Sequence, residues 1–496
     1  MKIVIFLLGI FLASNADAAT GTFWVNGASS GQHCVNSSTD PGSGSSSQTI
    51  TQGLACVGSA GTDAGAGSTV IVKNGTYGEQ LLDKIPNGTA GSPFVLKAEN
   101  KRGATIQAQV AGHVIQLSNT VHYMTIDGFV LDGQNLDPGA PDADGIFAST
   151  FDQTTIHDVI IQNLEIKNVV NQGIQFDGQN ITIQNNLIHN GGSADIGFSH
   201  GCYCVLTNSI IQDNEISNWA GGYALHFYDA GANSMSGNTV RRNTMFNNNS
   251  GVLLNGVNIQ FYNNLVYNNG NGVRIQFSVA DVVNIYSNTI YNNTGQGLAG
   301  IANFAGTNVT AKNNILYLND GGATSGTINA SNNQSTDPSF VNAGAANFYL
   351  QNTSTAIDAG VTLGAPFNSD YVNTPRPQGK AYDIGAYEYI FPPSGAPTGM
   401  VRFPGGPGVA INSCGSGASV SGNDSIGTVT VGTGTITSCS INFSGTYATT
   451  PNCLANLGGT GSTVIGVTPS TSGVTFGTSA DIGGGSSHIY YMCAQK

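Results

Sequence analysis

The chain has 496 residues and a formal net charge of −13, and only 9% of its residues are charged, far below the roughly 25% of an ordinary soluble domain. That balance argues against nucleic acid and anionic membrane surfaces, which recruit basic patches. It also disfavours a strongly anionic glycan unless a cation such as Ca²⁺ bridges the two, whereas a neutral glycan meets no such obstacle. With 40% hydrophobic residues and 68 glycines, the chain can bury a large core, which argues against disorder and for an all-β protein with many turns.

In chain order, the first expected element is a processing signal. Lys2 is a short basic start, Ile3 to Ala13 an apolar run, and Ala16-Asp17-Ala18 an A-x-A cleavage site. Residues 1–18 therefore read as a signal peptide, with export and a mature start near Ala19. The apolar run is too short for a membrane span, and no later run is long enough. Eight cysteines suit an exported chain. Cys34 and Cys56 can close a loop. Cys202 and Cys204 lie mid-chain. Cys414, Cys439, Cys453 and Cys493 suggest two further disulfides, with three pairings open.

The middle of the chain is a repeat. VIIQNLEIKN (from Val159), ITIQNNLIHN (from Ile181), IIQDNEISN (from Ile210), TVRRNTMFNNN (from Thr239), IQFYNNLVYNN (from Ile259), VNIYSNTIYNN (from Val283) and VTAKNNILYLN (from Val309) share one pattern of alternating apolar residues, an Asn-containing bend and a second short strand. The bend asparagines Asn186, Asn214, Asn243, Asn264, Asn288 and Asn314 recur every 21 to 29 residues. Period-two alternation means strands with one buried face, and no helical pattern lies between them. The period is then one coil of a parallel solenoid with a continuous core. Asn suits the bends because it tolerates left-handed backbone, and stacked asparagines can hydrogen-bond from coil to coil.

From about Thr22 to Tyr389 the chain resembles the right-handed parallel β-helix proteins of the pectate-lyase-like superfamily. The likeness rests on TFWVNGASSGQ (Thr22 to Gln32), STVIVKNGTYGEQ (Ser68 to Gln80), GTAGSPFVLKAEN (Gly88 to Asn100) and VHYMTIDGFVLDG (Val121 to Gly133). It ends on IDAG (Ile357 to Gly360) through Asp370, Arg376 and DIGAYEY (Asp383 to Tyr389). Asp370, Arg376, Asp383 and Glu388 are expected to form an ion-pair cluster, the polar cap a solenoid needs. IFPPSGAPTG (Ile390 to Gly399) reads as a linker. Residues 400–496 are expected to form a small disulfide-containing β-sandwich-like module, similar to C-terminal modules of some phage tail and secreted proteins.

The resemblance implies fold more than activity, since the superfamily holds lyases, hydrolases, epimerases, tailspikes and adhesins. Polygalacturonase-like hydrolases use paired aspartates, and this chain has no Asp-Asp. Ser199-His200-Gly201 and Arg274-Ile275-Gln276 only echo that family's phrases. Asp142-Ala143-Asp144-Gly145 echoes a Ca²⁺-dependent lyase family without supplying the six to eight oxygens the ion needs. No metal site is assigned, and Ca²⁺ stays open as a cofactor.

Strand alternation gives a sharper reading. Aligning the coils on Gly173, Gly201, Ala224, Gly251 and Gly272 turns Ile174, Cys202, Leu225, Val252 and Val273 inward, and likewise Phe176, Cys204, Phe227, Leu254 and Ile275. Cys202 and Cys204 are thus expected as small hydrophobes of the core. One outward column is Gln175, Tyr203, His226, Leu253 and Arg274, and its neighbour is Asp177, Val205, Tyr228, Asn255 and Gln276. Strands about 4.8 Å apart put Tyr203 beside His226, with Arg274 about 10 Å beyond. Tyr and His can act as acid and base, and Arg can neutralise a carboxylate. His226, Tyr203 and Arg274 are the candidate catalytic residues, and Tyr228, Asp177, Gln175, Asn255 and Gln276 the candidate substrate-binding residues.

The expected function is that of a secreted polysaccharide lyase or glycoside hydrolase. The alternative is a non-catalytic glycan-binding adhesin or tailspike-like surface protein, which as a virion component would form a homotrimer. The expected partner is polysaccharide, with no nucleic acid and no membrane span. Limited proteolysis should cut first between Ile390 and Gly399; first cuts inside the Asn-rich coils would refute the division at the linker.

Overall fold

The computed structural model describes residues 20–136, 143–149, 155–193, 197–228, 235–276, 282–305, 308–390, 410–411, 413–422, 426–443, 450, 452–458, 464–478, 481 and 488–494. The expected signal peptide and residues 391–399 of the expected linker lie outside them. The chain forms two compact units. One holds the described residues up to Pro338 with Ala359–Tyr371 and Asp383–Ala386. The other holds Ser339–Asp358, Val372–Tyr382 and the described residues from Tyr387 onward.

The first unit is the expected solenoid, and its strands stack into three parallel faces. One face runs from Leu81–Leu82 through Ile146–Ala148, Ile174–Gln179, Cys202–Thr207, Tyr223–Phe227, Ser250–Leu254, Val273–Ile275 and Ile301–Asn303 to Thr324–Ser325. A second climbs from Thr22–Val25 to Ile328–Ser331, and a third from Gly75–Tyr77 to Ile315–Tyr317. Inward residues such as Ile161, Ile183, Ile211, Val240, Phe261 and Ile285 are at most 2% exposed and form one continuous core. At the N-terminal end a short helix, Ile50–Ala55, starts on a capping box between Thr49 and Gln52. Its first N–H groups also donate to Glu79. The Cys34–Cys56 disulfide closes the adjoining loop.

The bend asparagines form a ladder. In each of Asn186, Asn214, Asn243, Asn264, Asn288 and Asn314, the backbone N–H and side-chain Nδ2 donate to the Oδ1 of the next, ending on Asn333, at 2.8–3.1 Å. The same Nδ2 groups also donate to a carbonyl of the preceding coil, as Asn243 does to Ile211 O at 2.9 Å. The two roles expected of one asparagine are divided between neighbours. The left-handed conformation falls on the residue before the ladder position: Asn185, Asp213, Arg242, Asn263, Ser287 and Asn313, with φ between 52° and 57°. That residue turns the chain, and the ladder residue then points inward. Five residues on, a second buried ladder joins Asn248, Asn269, Asn293 and Asn319.

In the second unit, two four-stranded antiparallel sheets between Ala410 and Ala494 share a core of Val429, Ile441, Val474, Phe476, Ile489 and Tyr491. This is the expected sandwich-like module. Its disulfides are Cys414–Cys439 and Cys453–Cys493. In the closing motif, Asp370, Arg376, Asp383 and Glu388 are all buried. Arg376 pairs with Glu388 at 2.9 Å, and Glu388 also accepts from Gln378 N–H.

Asn243→Ala should cost about 3 kcal/mol, because two donors on Asn214 and the Ile211 carbonyl lose their partner in a dry interior at about 1–3 kcal/mol per group. Denaturant midpoints of the full chain measure this; a loss below about 0.5 kcal/mol, the usual effect of a surface change, would show that the ladder is not a stabilising element.

Candidate functional site

The stacking register is the one read from the sequence. Ile174 pairs with Cys202, Cys202 with Leu225, Leu225 with Val252 and Val252 with Val273. The outward column follows: Gln175 beside Tyr203, Tyr203 beside His226, His226 beside Leu253, Leu253 beside Arg274. Gln175, Tyr203, His226, Arg274, Tyr228 and Gln276 are half-buried.

Three expectations need correction. Asp177 and Asn255 are fully buried, and Val205 is 5% exposed. Alternation fails at this position, where a glycine of positive φ follows Asp177 within its strand (Gly178, φ +156°) and Asn255 just after its strand (Gly256, φ +127°). Asp177 there accepts the Ser149 hydroxyl at 2.6 Å. Second, His226 is not an exposed surface residue but stands inside an aromatic cluster. Third, Cys202 and Cys204 face the core as expected but are joined to each other as a disulfide, so they are not free thiols.

The cluster is built from two adjacent coils. The His226 ring lies 4.1 Å from that of His200, 5.1 Å from Tyr223, 5.2 Å from Tyr203 and 5.4 Å from Tyr228, stacked on the two latter-strand tyrosines, Tyr223 and Tyr228. Sequence reasoning passed over Tyr223 and set His200 aside. Both sit two residues before an inward position, where the turn entering the strand breaks the period. Gly222 makes room for His200: a Cβ there would run into its ring. Tyr223 N–H donates to His200 Nδ1 at 3.0 Å, so the proton of neutral His200 is on Nε2. The buried Gln172 side chain accepts from His200 N–H and donates to Phe198 O at 2.9 Å. Arg274 reaches back across two coils to the Tyr223 hydroxyl, with Nη1 at 3.2 Å, and its guanidinium lies 4.8 Å over the Phe304 ring.

Burial sets the charge states. It lowers the His226 pKa to about 3, and the nearby Arg274 charge pushes the same way. His200 is likewise held well below its ordinary value, by burial and then by His226. Burial, with Tyr228 and Asp177 adding to it, pushes Tyr203 up to about 12. At neutral pH the cluster therefore holds two uncharged imidazoles, a protonated phenol and one fixed cation. His226 Nδ1 and Arg274 Nε are buried with no hydrogen-bond partner among the described residues. Such groups are uncommon in folded proteins and call for a partner such as a ligand or a bound water.

Among the described residues no cluster of three or more His, Cys, Asp or Glu is arranged to hold a metal. Asp142 lies outside the described residues. Asp144 is buried and engaged, 3.0 Å from His113 Nδ1 and accepting from Gln172 N–H at 2.8 Å.

Residues 144–299 and 207–361 match the family described as right handed beta helix region. The solenoid is a right-handed parallel β-helix. No curated protein sequence matches the chain. Solved structures similar to it include pectate lyase Pel9A, at 14% identity and TM-score 0.46, covering 75% of this chain and 98% of that one. Another is the mannuronan C-5 epimerase AlgE4 A-module of Azotobacter vinelandii, at 14% and 0.37, covering 57% and 95%. A third is the tailspike protein gp49 of Acinetobacter baumannii bacteriophage Fri1, a capsular polysaccharide depolymerase, at 10% and 0.37, covering 86% and 79%. No helix among the described residues is long and apolar enough to cross a membrane.

The depressed His226 pKa makes stability depend on pH. An unfolded chain takes up that proton as pH falls below about 6.5, while the folded chain resists until about 3, so this contribution is complete above 6.5 and is lost as pH falls toward 3. The melting temperature should drop over that window, and the drop should be smaller in the His200→Gln/His226→Gln double variant. Parallel curves for the two proteins would mean that the imidazoles are not buried neutral.

Proposed function

We propose that the Tyr203–His226–Arg274 face of the β-helix binds polysaccharide outside the cell and cleaves it by β-elimination. The carrying observation is the set of protonation states on one face: a neutral imidazole, a protonated phenol and a guanidinium within neighbouring coils. Elimination beside a uronate carboxylate needs those three parts. His226 accepts the C5 proton, Arg274 holds the carboxylate as negative charge builds on it, and Tyr203 gives its proton to the departing O4. The C4–O4 bond breaks, a C4=C5 double bond forms, and no other reactant is consumed.

The chemistry is self-consistent in one further respect. The Arg274 charge is one of the two causes that depress His226. A substrate carboxylate on Arg274 cancels that charge and so relieves the smaller of the two causes, while burial, the larger, remains. Hydrolysis is less well served. It calls for two carboxyl groups flanking the scissile bond, and of the candidate residues on this face only Asp177 carries one. Tyr228, Gln175 and Gln276 line the same face and supply stacking area and hydrogen bonds for neighbouring sugars, while buried Asp177 and Asn255 support it from below.

A glycan screen with the full chain, read at 235 nm for unsaturated ends and in parallel for reducing sugar, tests the assignment. Both signals should rise together. His226→Gln and Tyr203→Phe should each lower kcat by about 10²–10⁴-fold, and Arg274→Ala should weaken acidic substrates more than neutral ones. Reducing ends without absorbance would replace the lyase with a hydrolase. Binding without either signal would favour the adhesin or tailspike-like alternative.

A further inference from the structure

Beside the aromatic cluster the solenoid carries a groove of about 620 Å³ whose lining includes Asn218, Asn247, Asn249, Asn268, Thr294 and Gln296. These side chains are exposed and uncharged. They alternate with the buried second ladder, Asn248, Asn269 and Asn293, which fixes the backbone beneath them. The groove adjoins the coils of the aromatic face. Gln296 Nε2 donates to Ser250 Oγ at 2.8 Å, Asn271 donates to Gln296 Oε1 at 2.8 Å, and Ser250 is the coil neighbour of Tyr223. At the next coil stands Phe198, 71% exposed. Its neighbour Gly197 donates to Gly221 O, next to the groove residue Ala220.

We propose that this groove is a subsite for uncharged sugars, and hence that the substrate is a heteropolysaccharide in which neutral residues accompany an isolated acidic one. The inference rests on the reading of the adjoining face as a saccharide site. Amides recognise hydroxyl groups as both donor and acceptor but supply no charge for a carboxylate. A charge that does reach the rim is negative: Asp320 accepts from Gly295 N–H at 2.6 Å. Segments 194–196, 229–234 and 277–281, which adjoin the face in sequence, contain Asp195, Asp229 and Asp281 and no lysine or arginine. Arg274 thus serves one carboxylate, and a polymer charged at every residue meets uncompensated repulsion from a chain of net charge −13. Phe198, with a large apolar side chain in water, gives a sugar ring a stacking surface at the end of the groove.

Affinity gel electrophoresis of the full chain tests this against three classes of polymer: homopolyuronates (polygalacturonate, alginate), neutral homopolymers (dextran, xylan) and heteropolysaccharides with one uronate per repeat (gellan, xanthan). The tightest ligand should fall in the third class. Phe198→Ala should weaken that ligand about tenfold through lost stacking area, with melting unchanged. Thr294→Lys should strengthen polygalacturonate by putting a cation in the groove. A homopolyuronate or neutral homopolymer as the tightest ligand, or no effect of either variant, overturns the inference. In that case loss of turnover in His226→Gln would still uphold the lyase reading. Binding to no glycan at all overturns both.

Discussion

The buried amide-to-amide hydrogen bond between successive coils is the constraint on which the rest of the molecule depends. Each ladder asparagine lies in a dry interior, where an unmet donor costs about 1–3 kcal/mol, so every coil must return to the same height and phase. Coil length can still vary, since the ladder intervals run from 19 to 29 residues, but the extra residues must leave between fixed points. The ladder thus holds the strand register that aligns Tyr203, His226, Leu253 and Arg274.

This is also why so much of the arrangement was legible in the sequence. Period-two alternation with a small residue before each inward position fixes both face and register, and the column through Tyr203 and His226 follows without any knowledge of contacts. Legibility stopped at strand starts and at local bends. Asp177 and Asn255 obey the alternation in sequence but are buried, each just before a glycine of positive φ. His200 precedes its strand and Tyr223 opens the next one, and both became visible only as rings packed on His226. The second ladder had a signal that went unused, the asparagine five residues beyond each of Asn243, Asn264, Asn288 and Asn314. Burial of His226 had none, because it depends on aromatic side chains from two coils leaning toward one point.

Two outward faces of the same solenoid differ in how their polar side chains are satisfied. On the second face Gln184 donates to Gln162, Gln212 to Gln184 and Arg241 to Gln212, and Arg241 also donates to Tyr262, at 2.7–3.1 Å. That run is continuous, although Gln260 Oε1 on the same face is buried with no partner among the described residues. The first face carries more such atoms. It places His226 Nδ1 and Arg274 Nε in buried positions with no partner among the described residues, and it adds exposed Phe304 beneath the guanidinium. Stability alone would favour satisfying those atoms, and the general expectation is that such local conflicts persist where a ligand resolves them.

Electrostatics points in the same direction. Burial keeps the His226 imidazole neutral, and the nearby Arg274 guanidinium adds to the effect. In a low-dielectric site the interaction is strong in both directions: whatever neutralises Arg274 also changes His226. In the proposed site, one carboxylate on Arg274 relieves part of the His226 shift. The acidity read at the outset from composition and the amide-lined groove found beside the aromatic cluster bear on the same proposed selectivity, one acidic sugar set among neutral neighbours.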